Sequence, residues 1–386
     1  MPKKICHICT VDMSVGILLK NQLRYFLDQG LETHAMASPG LYQAEVEAAG
    51  IRYHAVPMTR TISPLDDLVA LAQMVPILRR ERFDLIHLHT PKAELLGTLA
   101  GVLAGVPRIY RTIHGFYFTK DSSPLKRHAF VNIERAISRF HHKVFSQNSE
   151  DILTAEAEGI RAAADIAYLG NGIELARFDP ARWEPATVAQ ARARWGLAAG
   201  ERAIGFVGRL VQEKGLIELF EAFRALAPSR PWLKLLLVGE ADLAKPDAVR
   251  VEEHLPPELL ARVIQAGWQK QVEDFYPLMD LFTLPSHREG FPRTLMEACA
   301  MGLPVVATDI RGCREAVTHD DNGLLVPARA PQDLARALAA ILDDPALAAR
   351  LAASARQRAA REFDEREKFK LIYAAYARDL GLRAPS

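Results

Sequence analysis

The chain has 386 residues, 49% hydrophobic and 25% charged, with a formal net charge of +1. That length exceeds one small core and favours two domains, or three, in a protein of ordinary globular composition. A charge so near zero excludes bulk nucleic-acid binding, so any recognition of anions has to come from local clusters.

In chain order, the first strand-like run is "KKICHICTV", which holds Cys6 and Cys9 as a CxxC. CxxC admits redox chemistry or a metal, but inside an apolar strand a thiol is a small hydrophobe, and no second CxxC or His pair completes a zinc site. With Cys299 and Cys313 the four cysteines form no disulfide framework and fit a reducing compartment. The run has no h-region or cleavage site behind its basic start. No stretch of the chain reaches the ~20 apolar residues that cross a bilayer, so a cytoplasmic protein is expected. After this strand comes "TVDMSVGIL", where the backbone can approach a phosphate at Gly16. The absence of GxGxxG here argues against a dinucleotide-binding turn.

Further strands are expected at "ETHAMAS", "RYHAVP", "DLIHLHT", "RIYRTIHG" and "KVFSQN". His87 and His89 alternate with apolar residues in "DLIHLHT", the pattern of core histidines. His114 ends its strand just before Gly115, a position that suits a site residue better than a core or capping one. Residues 120–143 gather Lys120, Lys126, Arg127, Arg135, Arg139 and Lys143 beside Phe130, Ile133 and Ile137. Such a basic amphipathic helix suits either an anionic membrane surface or a solvated face packed on a sheet.

The segment from Gly170 through "GIELARFDPARWEP" has turn signals and proline, and reads as a domain junction. A second series of strands follows at "AIGFVGRL", "KLLLVGE", "VIQAGW", "LFTLPS", "VVATD" and "GLLVP". Short apolar runs alternating with helices predict an α/β protein of two doubly wound, Rossmann-like domains, 1–172 and 173–365. A C-terminal helix, 366–386, is expected to bury Phe369, Ile372, Tyr373 and Tyr376 and to pack back toward the N-terminal domain. Ligands bind at the carboxyl ends of parallel strands, so two such domains facing each other make a cleft.

Two segments of the second domain carry anion chemistry. In "GFVGRLVQEKG", Arg209 and Lys214 follow a strand end, where two cations suit a diphosphate. In "SHREGFPRTLMEACAMG", a loop with Gly290 leads into a helix, with Pro292 placed in the first turn and Gly302 as the stop. The amides near Arg293, Thr294 and Leu295 then point out of a helix start, an anion site that needs no metal. Glu289 lies before that helix and Glu297 about one turn inside it. They therefore suit two hydroxyl-bearing groups on either side of a phosphate, the layout of a nucleotide sugar. No DxD metal clamp is present, and neither metal nor cofactor is expected.

"FVGRLVQEKG" and "SHREGFPRTLMEACAMGLPVVATDIRG" resemble the two signature segments of family four of the retaining glycosyltransferases, which have the GT-B fold. "HLHTPKAELLGTLAGVLAGVPRIYRTIHGFYF" and "GNGIELARF" resemble bacterial members that build surface polysaccharides, so the likeness spans nearly the whole chain. It implies two Rossmann-like domains facing across a cleft, the N-terminal one binding acceptor and the C-terminal one the nucleotide sugar. Arg209 and Lys214 would hold the donor diphosphate. Glu289, with the amides of Gly290 and Phe291, would take the transferred sugar. Glu297 would take the ribose diol, and Thr294 and Leu295 would bind phosphate through their backbone. Gln269 and Lys270 would border the base, and His114 would lie near the anomeric centre. Many members carry a Gly-Gly loop where this chain has Gly16 alone.

The expected function is retaining, metal-independent transfer of a hexose or N-acetylhexosamine. The donor is a nucleoside-diphosphate sugar, UDP ahead of GDP, and the acceptor a glycan or lipid-linked molecule. The expected setting is the cytoplasm, with peripheral attachment to the inner face of the membrane through residues 120–143. The rival readings are an epimerase of the same fold, which converts donor without an acceptor, and a non-catalytic nucleotide-sugar-binding subunit.

Overall fold

A computed structural model describes residues 2–61, 63–118, 123–241 and 247–383. The chain forms two compact units, Met1–Gly170 with Arg366–Ser386, and Asn171–Glu365. In the first, β1 (Lys4–Ile8), β2 (Glu32–Ala37), β3 (Arg52–Ala55), β4 (Leu85–Leu88), β5 (Ile109–Ile113), β6 (Lys143–Ser146) and β7 (Ile166–Tyr168) make one parallel sheet. Its order is β3-β2-β1-β4-β5-β6-β7. The second unit has β8 (Arg202–Val207), β9 (Leu233–Val238), β10 (Val263–Gly267), β11 (Leu281–Leu284), β12 (Val305–Thr308) and β13 (Leu324–Val326). This sheet is also parallel, in the order β10-β9-β8-β11-β12-β13.

The strands are buried because helices cover both faces of a parallel sheet, which is why runs such as "LKLLLV" are almost continuously apolar. All six strands expected in the second unit form. The first unit adds β7, which the sequence reading did not include. Three residues at a sheet edge, with one of them half exposed, carry too short an apolar pattern to register.

Both sheets reverse direction once. The strand order turns at β1/β4 in the first unit and at β8/β11 in the second. At such a point the loops leaving neighbouring strands diverge to opposite faces and open a crevice at the carboxyl edge. The loops that hold Arg209, Lys214 and Glu289 leave β8 and β11.

The helix Glu365–Leu380 lies in the first unit from Arg366 onward. Phe369, Ile372, Tyr373 and Tyr376 are all buried there, the last three against Ile5, Phe26, Tyr110 and Phe145 among others and Phe369 against the ring of Tyr25.

Candidate functional site

In the second unit the turn after β8 carries Arg209, then the short 3-10 helix Gln212–Lys214. Gly215 follows at φ +72°, and a Cβ built there would stand 1.9 Å from the carbonyl oxygen of Pro285, at the end of β11. The glycine thus lets two loops touch backbone to backbone. Side chains then lace them together. Lys214 Nζ donates to Glu289 Oε1 at 2.5 Å, and Ser286 Oγ donates to the same oxygen at 2.7 Å. Arg288 Nε donates to Glu213 at 2.8 Å, and His287 Nε2 sits 2.8 Å from Glu218. Lys214 and Glu289 keep 20% and 10% of their side chains exposed, so the pair is mostly shielded but open at one side.

Behind Glu289 lies the short helix Arg311–Ala316. An added Cβ on Gly312 would be 2.6 Å from the carbonyl oxygens of both Glu289 and Gly290. The Glu289 loop is therefore backed on one side by Gly312 and held on the other by the Lys214 turn. Sequence reasoning missed Gly312, Ser286 and His287, although "DIRG" and "SHREG" contain them; nothing in their spacing says that these loops meet.

The loop continues through Phe291, whose ring packs edge-on to Phe363 and whose carbonyl accepts from Asn171 Nδ2 at 3.1 Å. The helix runs Arg293–Ala300 with no side-chain cap. Pro292 was expected in its first turn but is the capping residue, at φ −71° and ψ 119°; the chain is still extended there and becomes helical only at Arg293. The amides of Arg293, Thr294 and Leu295 are the helix's first three, which have no acceptor within it. At the far end Leu303 N–H bonds Ala298 O and Gly302 N–H bonds Cys299 O, with Gly302 at φ +69°, a Schellman stop.

Glu297 faces a different set of groups from Glu289. Tyr276 O–H donates to its Oε2 at 2.6 Å, and Arg177 joins Glu273 at 2.6 Å and the carbonyl of Lys270 at 3.2 Å. Burial raises the Glu297 carboxyl above the usual carboxylate range, against the pull of Arg293, Tyr276 and Arg177. Glu297 and the turn after β10 are thus brought together through Tyr276 and Arg177. In that turn Gln269 folds its amide back onto Ala266 O at 2.6 Å, beside the exposed indole of Trp268. Two strand spacings, about 10 Å, separate β10 from β8, which suits the reach of a nucleoside.

Because its carboxyl is harder to ionise in the folded chain, Glu297 lowers stability as pH rises above 4.5, the ordinary value. Glu297→Gln is therefore expected to melt higher than the parent near neutral pH, with the advantage shrinking to nothing below that value. The same variant should bind UDP more weakly. Melting curves of both proteins across pH check it, and a constant or reversed difference rejects the assignment.

In the first unit Gly16 is buried, and a Cβ there would stand 2.6 Å from Tyr42 Cβ. The absence of a side chain lets Tyr42 pack directly against the backbone at this position. His114 lies one residue beyond β5 with both ring nitrogens engaged, Nδ1 by Gln147 Oε1 at 2.9 Å and Nε2 by His89 at 3.0 Å. Burial lowers it to about 4, so the ring is neutral at ordinary pH.

Cys6 and Cys9 are buried with thiols pushed up by burial, the behaviour of packing residues. Of the basic segment, Lys120 lies outside the described residues. In the helix Pro124–Ser138, Arg127 pairs with Glu158, and Arg135 Nε donates to the Glu158 carbonyl at 2.7 Å. Two of its cations thus have partners inside the unit, while Lys126 is exposed. Among the described residues no helix is long and apolar enough to cross a membrane.

Residues 188–358 match the family described as Glycosyl transferases group 1, and residues 19–172 match the Glycosyl transferase 4-like domain. The capsular polysaccharide biosynthesis glycosyltransferase CapM of Staphylococcus aureus is 26% identical, over 98% of each chain. The D-inositol 3-phosphate glycosyltransferase of Thermobispora bispora is 30% identical, over 72% of this chain and 67% of its own. Among solved structures, Anabaena Alr3699/HepE in complex with UDP and glucose aligns with a TM-score of 0.83. The alignment covers 97% of this chain and 99% of that one at 22% identity. The architecture is thus that of the GT-B fold.

Proposed function

Because the chain belongs to the glycosyl transferases group 1 family, we propose that it moves a hexose or N-acetylhexosamine from a nucleoside-diphosphate sugar to a glycan or lipid-linked acceptor. UDP is the preferred carrier, the acceptor belongs to a bacterial surface polysaccharide, and transfer keeps the configuration without a metal. One observation carries this reading: Lys214 and Glu289 meet at 2.5 Å where the strand order reverses, next to an uncapped helix start. The capsular function named for the Staphylococcus aureus relative and the UDP in the Anabaena structure support the setting and the carrier.

In this mechanism the diphosphate docks on the amides of Thr294 and Leu295 and on the cations of Arg209 and Lys214. Each charge-assisted hydrogen bond of that kind contributes about 1.5–3 kcal/mol. Glu289 shares Lys214 with the phosphate and, with the amides of Gly290 and Phe291, holds the sugar's hydroxyls. Glu297 takes the ribose diol, Gln269 and Lys270 border the base, and His114 is assigned to the sugar being transferred. As the bond to the anomeric carbon breaks, negative charge grows on the leaving phosphate, where fixed donors stabilise it without reorganising. The same phosphate oxygen takes the acceptor hydroxyl's proton, and the acceptor attacks from the face that the phosphate leaves. Glu289 and Glu297 do not act as a glycosidase pair, which needs two carboxyl groups about 5–5.5 Å apart at one carbon. Here each has its own partner, Lys214 and Tyr276.

A thermal-shift screen of UDP, GDP and their sugars tests the donor, since a ligand at 100 times its Kd stabilises by about 2.7 kcal/mol. UDP and a UDP-sugar are expected to raise the melting temperature. Transfer to an acceptor panel should survive excess chelator. Loss of activity with chelator rejects metal independence. Donor conversion without any acceptor supports an epimerase instead.

A further inference from the structure

Seven polar side chains of the first unit form one unbroken hydrogen-bonded ladder beneath the C-terminal helix. His7, in β1, lies in register with His87 of β4, which lies in register with Tyr110 of β5. Thr112 and His114 follow Tyr110 at alternate positions toward the strand end. The contacts run from Thr112 Oγ1 to His87 Nε2 at 2.8 Å, and from His87 Nδ1 to Tyr376 Oη. They continue from Tyr376 Oη to His7 Nε2 at 3.1 Å, and from His7 Nδ1 to His89 Nε2 at 2.9 Å. The last two link His89 Nδ1 to His114 Nε2 at 3.0 Å and His114 Nδ1 to Gln147 Oε1 at 2.9 Å.

Counting protons fixes the direction of every bond. A neutral imidazole has one N–H and one lone pair, so a ring bonded at both nitrogens donates from one and accepts at the other. Gln147 places a carbonyl oxygen on His114, which therefore has its proton on Nδ1 and accepts at Nε2. His89 must then donate from Nδ1, His7 from Nδ1, Tyr376 from its O–H, His87 from Nδ1 and Thr112 from its hydroxyl. All six bonds are satisfied by neutral groups in one tautomer, Nδ1–H. An extra proton anywhere would set two donors face to face. Burial opposes one too, holding His7 at about 3 and His87 and His89 well below the ordinary range.

The three rings of His7, His87 and His89 also bring nitrogens within 4.8 Å of one another, close enough to consider a metal. However, two imidazoles on one tetrahedral zinc, each bonded at 2.0–2.1 Å, would hold their nitrogens about 3.3 Å apart. The 2.9 Å between His7 and His89 is a hydrogen bond instead. The turn after His89 is held in turn. Thr90 has φ +69°, an outlier for a β-branched residue, and its hydroxyl is gripped by the Thr10 amide at 3.0 Å and the Thr10 hydroxyl at 2.8 Å.

We propose that Tyr376 and His7 are positioning residues for His114, locking through His89 the Nδ1–H tautomer that the Gln147 carbonyl selects. The functional half of this rests on the reading of His114 as a site residue given above; the ladder itself does not. The C-terminal helix, otherwise a hydrophobic cover for the sheet, thereby helps hold the chemical state of a residue at the strand end. A polar rung at Tyr376, where Phe would pack as well, is what this role requires.

The test uses the full chain labelled with 15N in its histidine rings, whose nitrogen shifts report the tautomer. Wild type is expected to show His7, His87, His89 and His114 all as Nδ1–H. Tyr376→Phe keeps the ring and removes the hydroxyl, and is expected to turn the His114 signal from one tautomer into an exchanging pair. His7→Phe should do the same, and His7→Gln, which keeps one donor and one acceptor, should restore the single tautomer. In steady-state transfer, Tyr376→Phe should lower kcat about tenfold with the donor KM little changed, the lower end of what such supporting partners contribute. An unchanged His114 signal in both Tyr376→Phe and His7→Phe, mixed tautomers in wild type, or stoichiometric zinc uptake by these rings overturns the ladder. A His114 signal that responds while kcat does not overturns the positioning role. If no nucleotide sugar is turned over at all, the glycosyl-transfer reading falls while the nitrogen shifts still decide the ladder.

Discussion

Lys214→Ala and Glu289→Ala are each expected to lower turnover at least ~100-fold, the usual result of removing one fixed donor or its anchor from a developing charge. The pair at 2.5 Å is only 20% and 10% exposed, so neither charge is free to be solvated as a lone side chain would be. In Lys214→Ala the diphosphate loses a cation, and Glu289 keeps the hydrogen bond from the Ser286 hydroxyl but loses its counter-charge. In Glu289→Ala the lysine remains but loses the carboxylate that orients it. Because the effect belongs to the charge that grows as the bond breaks, kcat should fall more than donor KM rises. Removing one member of a shielded ion pair also costs stability, so rates belong well below each variant's melting temperature. Steady-state kinetics with the donor found by thermal shift decide this. Near-normal rates in both variants reject the site.

Gly215→Ala should be nearly as damaging without touching any charged group. A left-handed backbone costs an ordinary residue roughly 1–2 kcal/mol. The larger problem is the 1.9 Å between the new Cβ and the Pro285 carbonyl oxygen. That oxygen is backbone, so no rotamer change relieves the clash and the two loops have to part, taking Lys214 away from Glu289. Melting temperature and kcat are both expected to drop. Gly200→Ala supplies the comparison: it has φ +87° with nothing within 4 Å of the added Cβ. It should lose only the backbone term, a few degrees in a unit of this size, and keep its rate. If the two variants behave alike, the loop contact has no functional weight.

Much of the second unit was legible from residues 203–327 read in order. Each strand there is a short apolar run, and the helix starts at Leu216, Pro257 and Arg293 are marked by glycine or proline, signals that neighbouring residues generate among themselves. The loop from Glu289 to Leu295 was legible for the same reason, down to the helix stop at Gly302, with Pro292 misplaced by one position. The first unit was read less well where its signals are weak or ambiguous. β7 has three residues, and the packing of Tyr42 onto Gly16 joins positions 26 residues apart. His87 and His89 in alternation with leucine and isoleucine look like core residues, and they are buried, but burial conceals their connection to His114.

By itself, then, the sequence determined two parallel α/β sheets and the chemical character of their loops, because hydrophobic period, glycine and proline act within a few residues. Only the tertiary structure decided which loops meet. Lys214 finds Glu289 across 75 residues, and Tyr376 reaches His7 across 369. Those partners are chosen by the order in which strands enter a sheet and by which helix covers it. That order is settled by packing over the whole unit, and no spacing along the chain records it.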